Sequence, residues 1–308
     1  MPPEGIIPEA TERQRCPKCR AVLPRLSLVC PQCSQSQMAA AENLEVGTVV
    51  AEKYELVVKL PAGAMGEVWK ARDIGEPSHV VAIKFVLADL REQGLRQRFL
   101  EERSNIARLN HPNIAKVLDP QLADHGNPCL VMEFVEGAPI TDFCDAKKLT
   151  LAQRLEVFVQ VCRGVQHAHS SGVVHRDLKP ANILIMEVDG KPLAKVIDFG
   201  ISRTIQPRAE GRFFEVTQPG FFVGTALYSS PEQLLGSGKL NPLTDLYSLG
   251  VVLYELLVGL TPVTREELAI LRTKSTDSAL AELAKMEAPS LHARLKKTSA
   301  AATNCSPL

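Results

Sequence analysis

The chain has 308 residues, 45 % of them apolar, with 35 Lys and Arg against 35 Asp and Glu, for a formal net charge of +0. That length allows about two domains of ~150 residues or one larger one, with enough apolar content for a sizeable core. The even charge gives no global pull toward nucleic acid or an anionic membrane. Met1 to Arg15 is polar and rich in Pro and Glu, so no secretory leader is read there. The longest apolar run, Leu246 to Leu260, is interrupted by Glu255 and falls short of the ~20 residues of a membrane span; it is predicted as a buried helix. A cytoplasmic location is expected.

Eight cysteines are present, four of them clustered near the start. Cys16-Pro-Lys-Cys19 and Cys30-Pro-Gln-Cys33 are two CxxC pairs with ten residues between them. Each turn offers two thiolates to one ion, and together they complete a tetrahedral four-sulfur site that suits structural Zn2+. Two disulfides or a redox dithiol are the alternatives; both are weaker in a cytosolic chain with no βαβ pattern around the cysteines. Arg20 to Val29, with Pro24 near its turn, is predicted as a short hairpin. Residues 14–35 resemble the small zinc ribbons at the ends of many bacterial proteins. So small a module has almost no core, and metal binding must supply its folding energy. Arg13, Arg15, Lys18, Arg20 and Arg25 make it locally basic. Solvation is the plain reading of such charge; a protein partner is read ahead of nucleic acid. Residues 1–13 are predicted as a disordered tail and 36–50 as a linker. Cys129, Cys144 and Cys162 are scattered and are expected to be reduced and at least partly buried.

Strand patterning begins at Tyr54, where Tyr54 to Leu60 alternates for much of its length. Pro61-Ala-Gly63-Ala-Met-Gly66-Glu-Val68 follows, then a β-run, Val80-Val-Ala-Ile-Lys84, that ends in lysine. A helix is predicted over Leu95 to Leu109, with Phe99, Ile106 and Leu109 inward and Glu101 or Glu102 available to the lysine. The strand Cys129 to Met132 runs into Glu133-Phe134-Val135. Leu149 to Ser171 is predicted as a long helix, with Leu151, Leu155, Phe158, Val159, Cys162 and Val165 near helical spacing and Gly172 as its stop. Ile183 to Ile185 and Ala194 to Ile197 are predicted as paired strands joined at Asp189-Gly190, a dipeptide suited to a tight turn.

Two strings carry most of the chemistry: His175-Arg-Asp-Leu-Lys-Pro-Ala-Asn182 and, sixteen residues later, Asp198-Phe-Gly200. They place a proton acceptor, a cation and two oxygen donors for Mg2+ on two short loops. Phosphoryl transfer needs those groups, because its catalysis is mostly positioning and charge neutralisation. Both strings belong to the protein-kinase signature set, and the chain from Tyr54 to Pro262 resembles the bacterial Hanks-type Ser/Thr protein kinases.

The resemblance implies an α+β, two-lobed protein-kinase fold preceded by the zinc ribbon. Residues 51–135 would form the small β-rich lobe and 136–295 the larger helical lobe. It implies ATP and Mg2+ (or Mn2+), protein substrates and a role in bacterial signalling. Asp177 is implied as catalytic base and Lys179 as the cation at the γ-phosphate; a lysine two residues after the aspartate marks members specific for Ser and Thr. Lys84 would bridge the α- and β-phosphates and pair with Glu102, which the spacing to Leu109-Asn-His-Pro favours over Glu101. Gly63 and Gly66 would cover the phosphates. Val68 and Ala82 would line the adenine pocket, Met132 would gate it, and the backbone from Glu133 to Val135 would bind adenine. Asn182 and Asp198 would hold Mg2+. In the activation segment, Asp198 to Glu232, Thr217 sits where many relatives are phosphorylated, Arg176 is the partner for that phosphate, and Thr225 matches a substrate-facing threonine. Asp245 would brace the catalytic loop. One departure is Pro61, which replaces the first loop glycine and stiffens the loop.

Past Pro262 the resemblance thins. The Leu-x-Lys-Asp-Pro-x-x-Arg-Pro pattern, whose arginine pairs with the glutamate matching Glu232, is not found. Thr264-Arg-Glu-Glu267 reads as a capping box, Ser278 to Lys285 as another helix, and 296–308 as a frayed tail. The larger lobe is therefore expected to be incomplete, with the Leu246 to Leu260 helix partly uncovered. That leaves a second reading, a nucleotide-binding pseudokinase or scaffold. A third makes the ribbon the working module and the rest an accessory. A phosphoryl-transfer assay separates the first two.

Overall fold

Alternation builds the first half. Seven strands form one sheet: β1 (Val49–Val50), β2 (Tyr54–Leu60), β3 (Gly66–Asp73), β4 (Val80–Val86), β5 (Val117–Asp119), β6 (Ala123–Asp124) and β7 (Asn127–Glu133). Their order is β1-β2-β3-β4-β7-β5, with β6 paired to β7. This computed structural model describes residues 44–61, 66–86, 93–119, 123–124, 127–199, 226–236, 241–264, 266–268 and 276–294. The ribbon cysteines Cys16, Cys19, Cys30 and Cys33, the loop glycine Gly63, and Thr217 and Thr225 lie outside these residues.

Successive side chains of a strand point to opposite faces, and β4 and β7 use both. Val81, Ile83, Phe85, Cys129 and Val131 join Val50, Tyr54, Leu56 and Trp69 in a cluster on one face of the sheet. Ala82, Leu130 and Met132 turn the other way, into the main core with Phe99 and Ile106 of helix α1 (Gln93–Ala107). Lys84 shares the parity of Ala82, and so faces the cleft. The linker expectation is corrected at its end: β1 already pairs with β2 through Val49 and Val50, and Gly47 donates to Leu56 O at 2.8 Å.

The second half is helical around a small sheet. After β8 (Ala138–Pro139) come α2 (Ile140–Ala146) and α3 (Leu151–Ser170). Helix α3 opens on a capping box between Thr150 and Gln153, two residues later than expected. Its buried face is Val157, Phe158, Val161, Gly164, Val165 and Ala168. Leu151, Leu155 and Val159 are exposed, which corrects the inward stripe read from sequence. Gly172, at φ +76°, ends the helix in a conformation that favours glycine. β9 (Ile183–Val188) and β10 (Lys191–Val196) pair in register through the Asp189-Gly190 turn, where φ is +50° and +72°. Positive φ at both central residues is the requirement of a two-residue hairpin turn.

Helix α4 (Pro231–Leu234) precedes α5 (Pro242–Val258), which Asn241 caps and Gly259 ends at φ +79°. Leu249, Val252 and Leu256 of α5 enter the main core, whereas Leu243, Leu246 and Tyr247 at its start are exposed. Residues past Pro262 do build a cluster: Leu268 and Ala279, Leu280 and Leu283 of α6 (Thr276–Leu283) pack with Ala226, Leu227 and Leu234. Both halves of the Thr264–Glu267 capping box form, at 2.8 and 3.2 Å. Arg294 bonds Pro262 O at 2.7 Å and Glu267 at 3.0 Å, while Glu232 accepts from Thr244 Oγ1 at 2.8 Å. Among the described residues, no helix is long and apolar enough to cross a membrane.

Candidate active site

The loop after α3 is fixed through its backbone. Asp245, fully buried on α5, accepts from His175 N and Arg176 N, both at 2.7 Å, and from His169 Nε2 at 2.7 Å. Burial pushes the Asp245 carboxyl up, but these hydrogen bonds and the neighbouring His175 outweigh it and hold the group below its ordinary value. Gln233 Nε2 donates to Arg176 O at 2.8 Å. Arg176 itself sits at φ +66°, a sparsely populated region for a non-glycine residue. The bonds on either side of it hold that conformation.

His175 is fully buried and ties the two loops together. Its Nδ1 accepts from Asp177 N at 3.2 Å, so Nε2 carries the proton and donates to Ile197 O at 2.9 Å. Its ring rests on Phe199 at 4.6 Å between centroids. Ile197 N in turn donates to Asn182 O at 3.0 Å. The backbones beside Asn182 and Asp198 are thus hydrogen-bonded neighbours, and Asp198 is held at φ +59°.

Around this frame the functional side chains converge. Asp177 Oδ2 accepts from Lys179 Nζ at 2.8 Å and from Asn182 Nδ2 at 3.0 Å. With its amide donating to Asp177, Asn182 keeps its carbonyl oxygen as a donor atom for a cation. Lys84, buried on β4, forms an ion pair with Asp198 Oδ1. Glu102 on α1 pairs with Arg176 Nη1 at 2.8 Å. The expected Lys84–Glu102 pair is therefore not the one observed. A buried ammonium requires a carboxylate; here Asp198 supplies it, and the guanidinium of Arg176 engages Glu102. Glu101, the other candidate, is exposed and bonds Gln97.

The nucleotide-pocket candidates also lie together. Val68 is the cross-strand partner of Lys84, and Ala82 that of Met132. Ala82, Met132 and Val135 are buried, and Val68 is half-buried. Gly66, at φ +151°, opens β3 in a conformation that a side chain would strain. The Glu133 side chain pairs with Lys195 at 2.9 Å. Asp198 and Asn182 offer hard oxygen donors, a set that fits Mg2+, which takes one or two protein oxygens and keeps waters or phosphate oxygens for the rest. Sequence reasoning missed His169 and Gln233, which hold the loop, and Asn113 and Gln160, described below. An HRD-type string signals the loop, not the polar residues that fasten it.

Sheet, cleft and loops define the protein kinase class. The protein kinase domain family matches residues 54–305, and the chain belongs to that family. It is 39 % identical over 218 residues to the serine/threonine-protein kinase PknB of Mycobacterium leprae, covering 69 % of this chain and 33 % of that protein. It is 35 % identical over 231 residues to the serine/threonine-protein kinase pkn3 of Myxococcus xanthus, covering 74 % and 42 %. The chain thus spans about a third to two fifths of the length of these curated relatives. Among solved structures, the kinase domain of Mycobacterium tuberculosis PknI aligns with a TM-score of 0.54 at 25 % identity, over 83 % of this chain and 99 % of that one.

Proposed function

We propose that the chain is an ATP- and Mg2+-dependent protein serine/threonine kinase. The observation that carries this reading is the placement of Asp177, whose Oδ2 is held by both Lys179 and Asn182, one hydrogen-bonded backbone away from Asp198. Asp177 orients the acceptor hydroxyl and takes its proton, with Asn182 fixing the carboxylate. Lys179 lies where negative charge develops on the transferred group. Lys84 reaches the phosphates from β4, and Gly63 and Gly66 let the loop backbone approach them. The backbone from Glu133 to Val135 binds adenine between Val68, Ala82 and Met132. Mg2+, held by Asn182 and Asp198, neutralises phosphate charge when bound. Thr217 is read as a phosphorylation position with Arg176 as its partner, and Thr225 as facing substrate. Cys16, Cys19, Cys30 and Cys33 bind one Zn2+ in a ribbon that serves as a protein-interaction module, and the chain works in the cytoplasm.

The test is phosphoryl transfer from radiolabelled ATP to protein Ser and Thr with Mg2+, beside Asp177→Asn. Label on Ser or Thr that depends on Asp177 is the expected result. Nucleotide binding without any transfer would favour the scaffold reading.

A further inference from the structure

β10 leads directly into Asp198, and only one of its edges is paired with β9. The other edge carries five polar backbone groups at alternate residues, and every one is satisfied. Gln160 Nε2 donates to Pro192 O at 3.1 Å. Gln160 Oε1 accepts from Ala194 N at 3.0 Å. Asn113 Nδ2 donates to Ala194 O at 2.8 Å and to Gln160 Oε1 at 3.2 Å. Val196 N donates to Asn113 O at 2.8 Å, and Ala115 N to Val196 O at 2.9 Å. Two side-chain amides thus continue a ladder that the backbone of Asn113 to Ala115 begins.

This ladder fixes a register. Pro192 has no N–H, so a two-residue slip that set it opposite Gln160 Oε1 would cost that acceptor its backbone donor, leaving only Asn113 Nδ2. A one-residue slip would turn every β10 side chain to the wrong face. Helix α3 also presses on the loop: a Cβ at Gly164, one turn past Gln160, would stand 2.9 Å from Asn113 O. Asn113 follows α1, the helix that carries Glu102, and Val196 stands two residues before Asp198. The seam therefore ties the loop that follows α1 to the strand that leads into Asp198.

We propose that Asn113 and Gln160 are positioning residues for Asp198 as a metal ligand, an inference that rests on the kinase reading. Neither belongs to the catalytic or nucleotide-binding groups named above. The full 308-residue chain is compared with Asn113→Leu, Gln160→Leu and Gln160→Glu; the last keeps the acceptor for Ala194 N and Asn113 Nδ2. Two readouts are used: the Mg2+ concentration that half-saturates transfer at fixed ATP, and Mn2+ affinity measured by electron paramagnetic resonance with ADP present. Both Leu variants are expected to need about fivefold more metal in each, with KM for ATP at saturating Mg2+ changed less than about twofold. Gln160→Glu should fall between them and wild type. A merely structural role would lower the melt and the active fraction but leave the metal dependence unmoved. Folded Leu variants with wild-type Mg2+ and Mn2+ dependence overturn the proposal while the kinase reading stands. Should Asn113→Leu fail to fold, the half-buried Gln160 decides by itself. If wild type transfers no phosphate, the kinase reading fails and the Mn2+ arm still decides; a wild type that binds no Mn2+ with ADP overturns both.

Discussion

Beneath the catalytic loop, the buried carboxylate of Asp245 on α5 grips the loop amides of His175 and Arg176 and the imidazole of His169 on α3. Across the cleft, Lys84 and Glu102 engage Asp198 and Arg176 through the tips of their side chains. The first arrangement fixes main chain, and moving it would orphan buried amides at about 1–3 kcal/mol each. The second joins charged tips on rotatable stems, which can change partners without disturbing a strand or helix. The large lobe thus supplies a frame, and the small lobe supplies charges that can be redistributed over it.

The comparison breaks first, and hardest, at Asp177. Asp177→Asn should lower kcat by about 10²–10⁴-fold, the usual worth of a positioned acid or base, with little change in the melt. Turnover kept above about a tenth of wild type, a barrier change under ~1.4 kcal/mol, would remove Asp177 from the chemistry. Lys84→Met should behave alike.

Asp245 tests the frame. Asp245→Ala leaves the amides of His175 and Arg176 without their acceptor and should cost about 2–6 kcal/mol, roughly 1–3 for each, measured by urea melts at pH 7. The effect should depend on pH with a definite sign. The folded carboxyl lies below its ordinary value of 3.8, so its contribution is complete above the unfolded value and is lost as pH falls through the folded one. The gap between wild type and variant should narrow below about pH 4. A gap that widened in acid would contradict the assignment.

Glu102→Gln tests the exchangeable side. It removes the charge that pairs with Arg176, and about a tenfold loss of kcat/KM, near 1.4 kcal/mol, is expected with a melt close to wild type. Unchanged kinetics would reduce Glu102 to packing. The smallest effect is expected in the N-terminal segment. Cys16→Ser with Cys19→Ser should abolish one bound Zn2+ per chain, seen by metal analysis, and change kinase turnover less than about twofold. No zinc in wild type purified without chelator would dispose of the ribbon, and a parallel loss of turnover would show that ribbon and kinase are coupled.

Much of this arrangement is legible in the amino-acid sequence. The loop strings gave the class and the Asp189-Gly190 dipeptide gave the β9–β10 turn, whereas the spacing to Leu109 assigned Glu102 to Lys84, and the structure pairs it with Arg176. What was missed has physical causes. Helix α3 is apolar on more than one side, and its buried face depends on Gly164 and Ala168, which a search for large side chains passes over. The partner of Lys84 lies 114 residues away, and sequence spacing carries no distance between two carboxylates and one ammonium. Asn113 and Gln160 act as substitutes for a strand, a role that depends on a neighbouring edge and on no local pattern.

The seam along β10 also has a mechanical meaning. The small lobe joins the large one covalently through the stretch from Phe134 to Gly137, and a second time, without covalent bonds, where Asn113 and Ala115 meet Val196. A body pinned at one point can swing and twist freely; pinned at two, it keeps only rotation about the line between the pins. The seam, together with the main core that Phe99 and Ile106 share with Val157 and Val161, opposes a sideways shear that would carry Lys84 past Asp198.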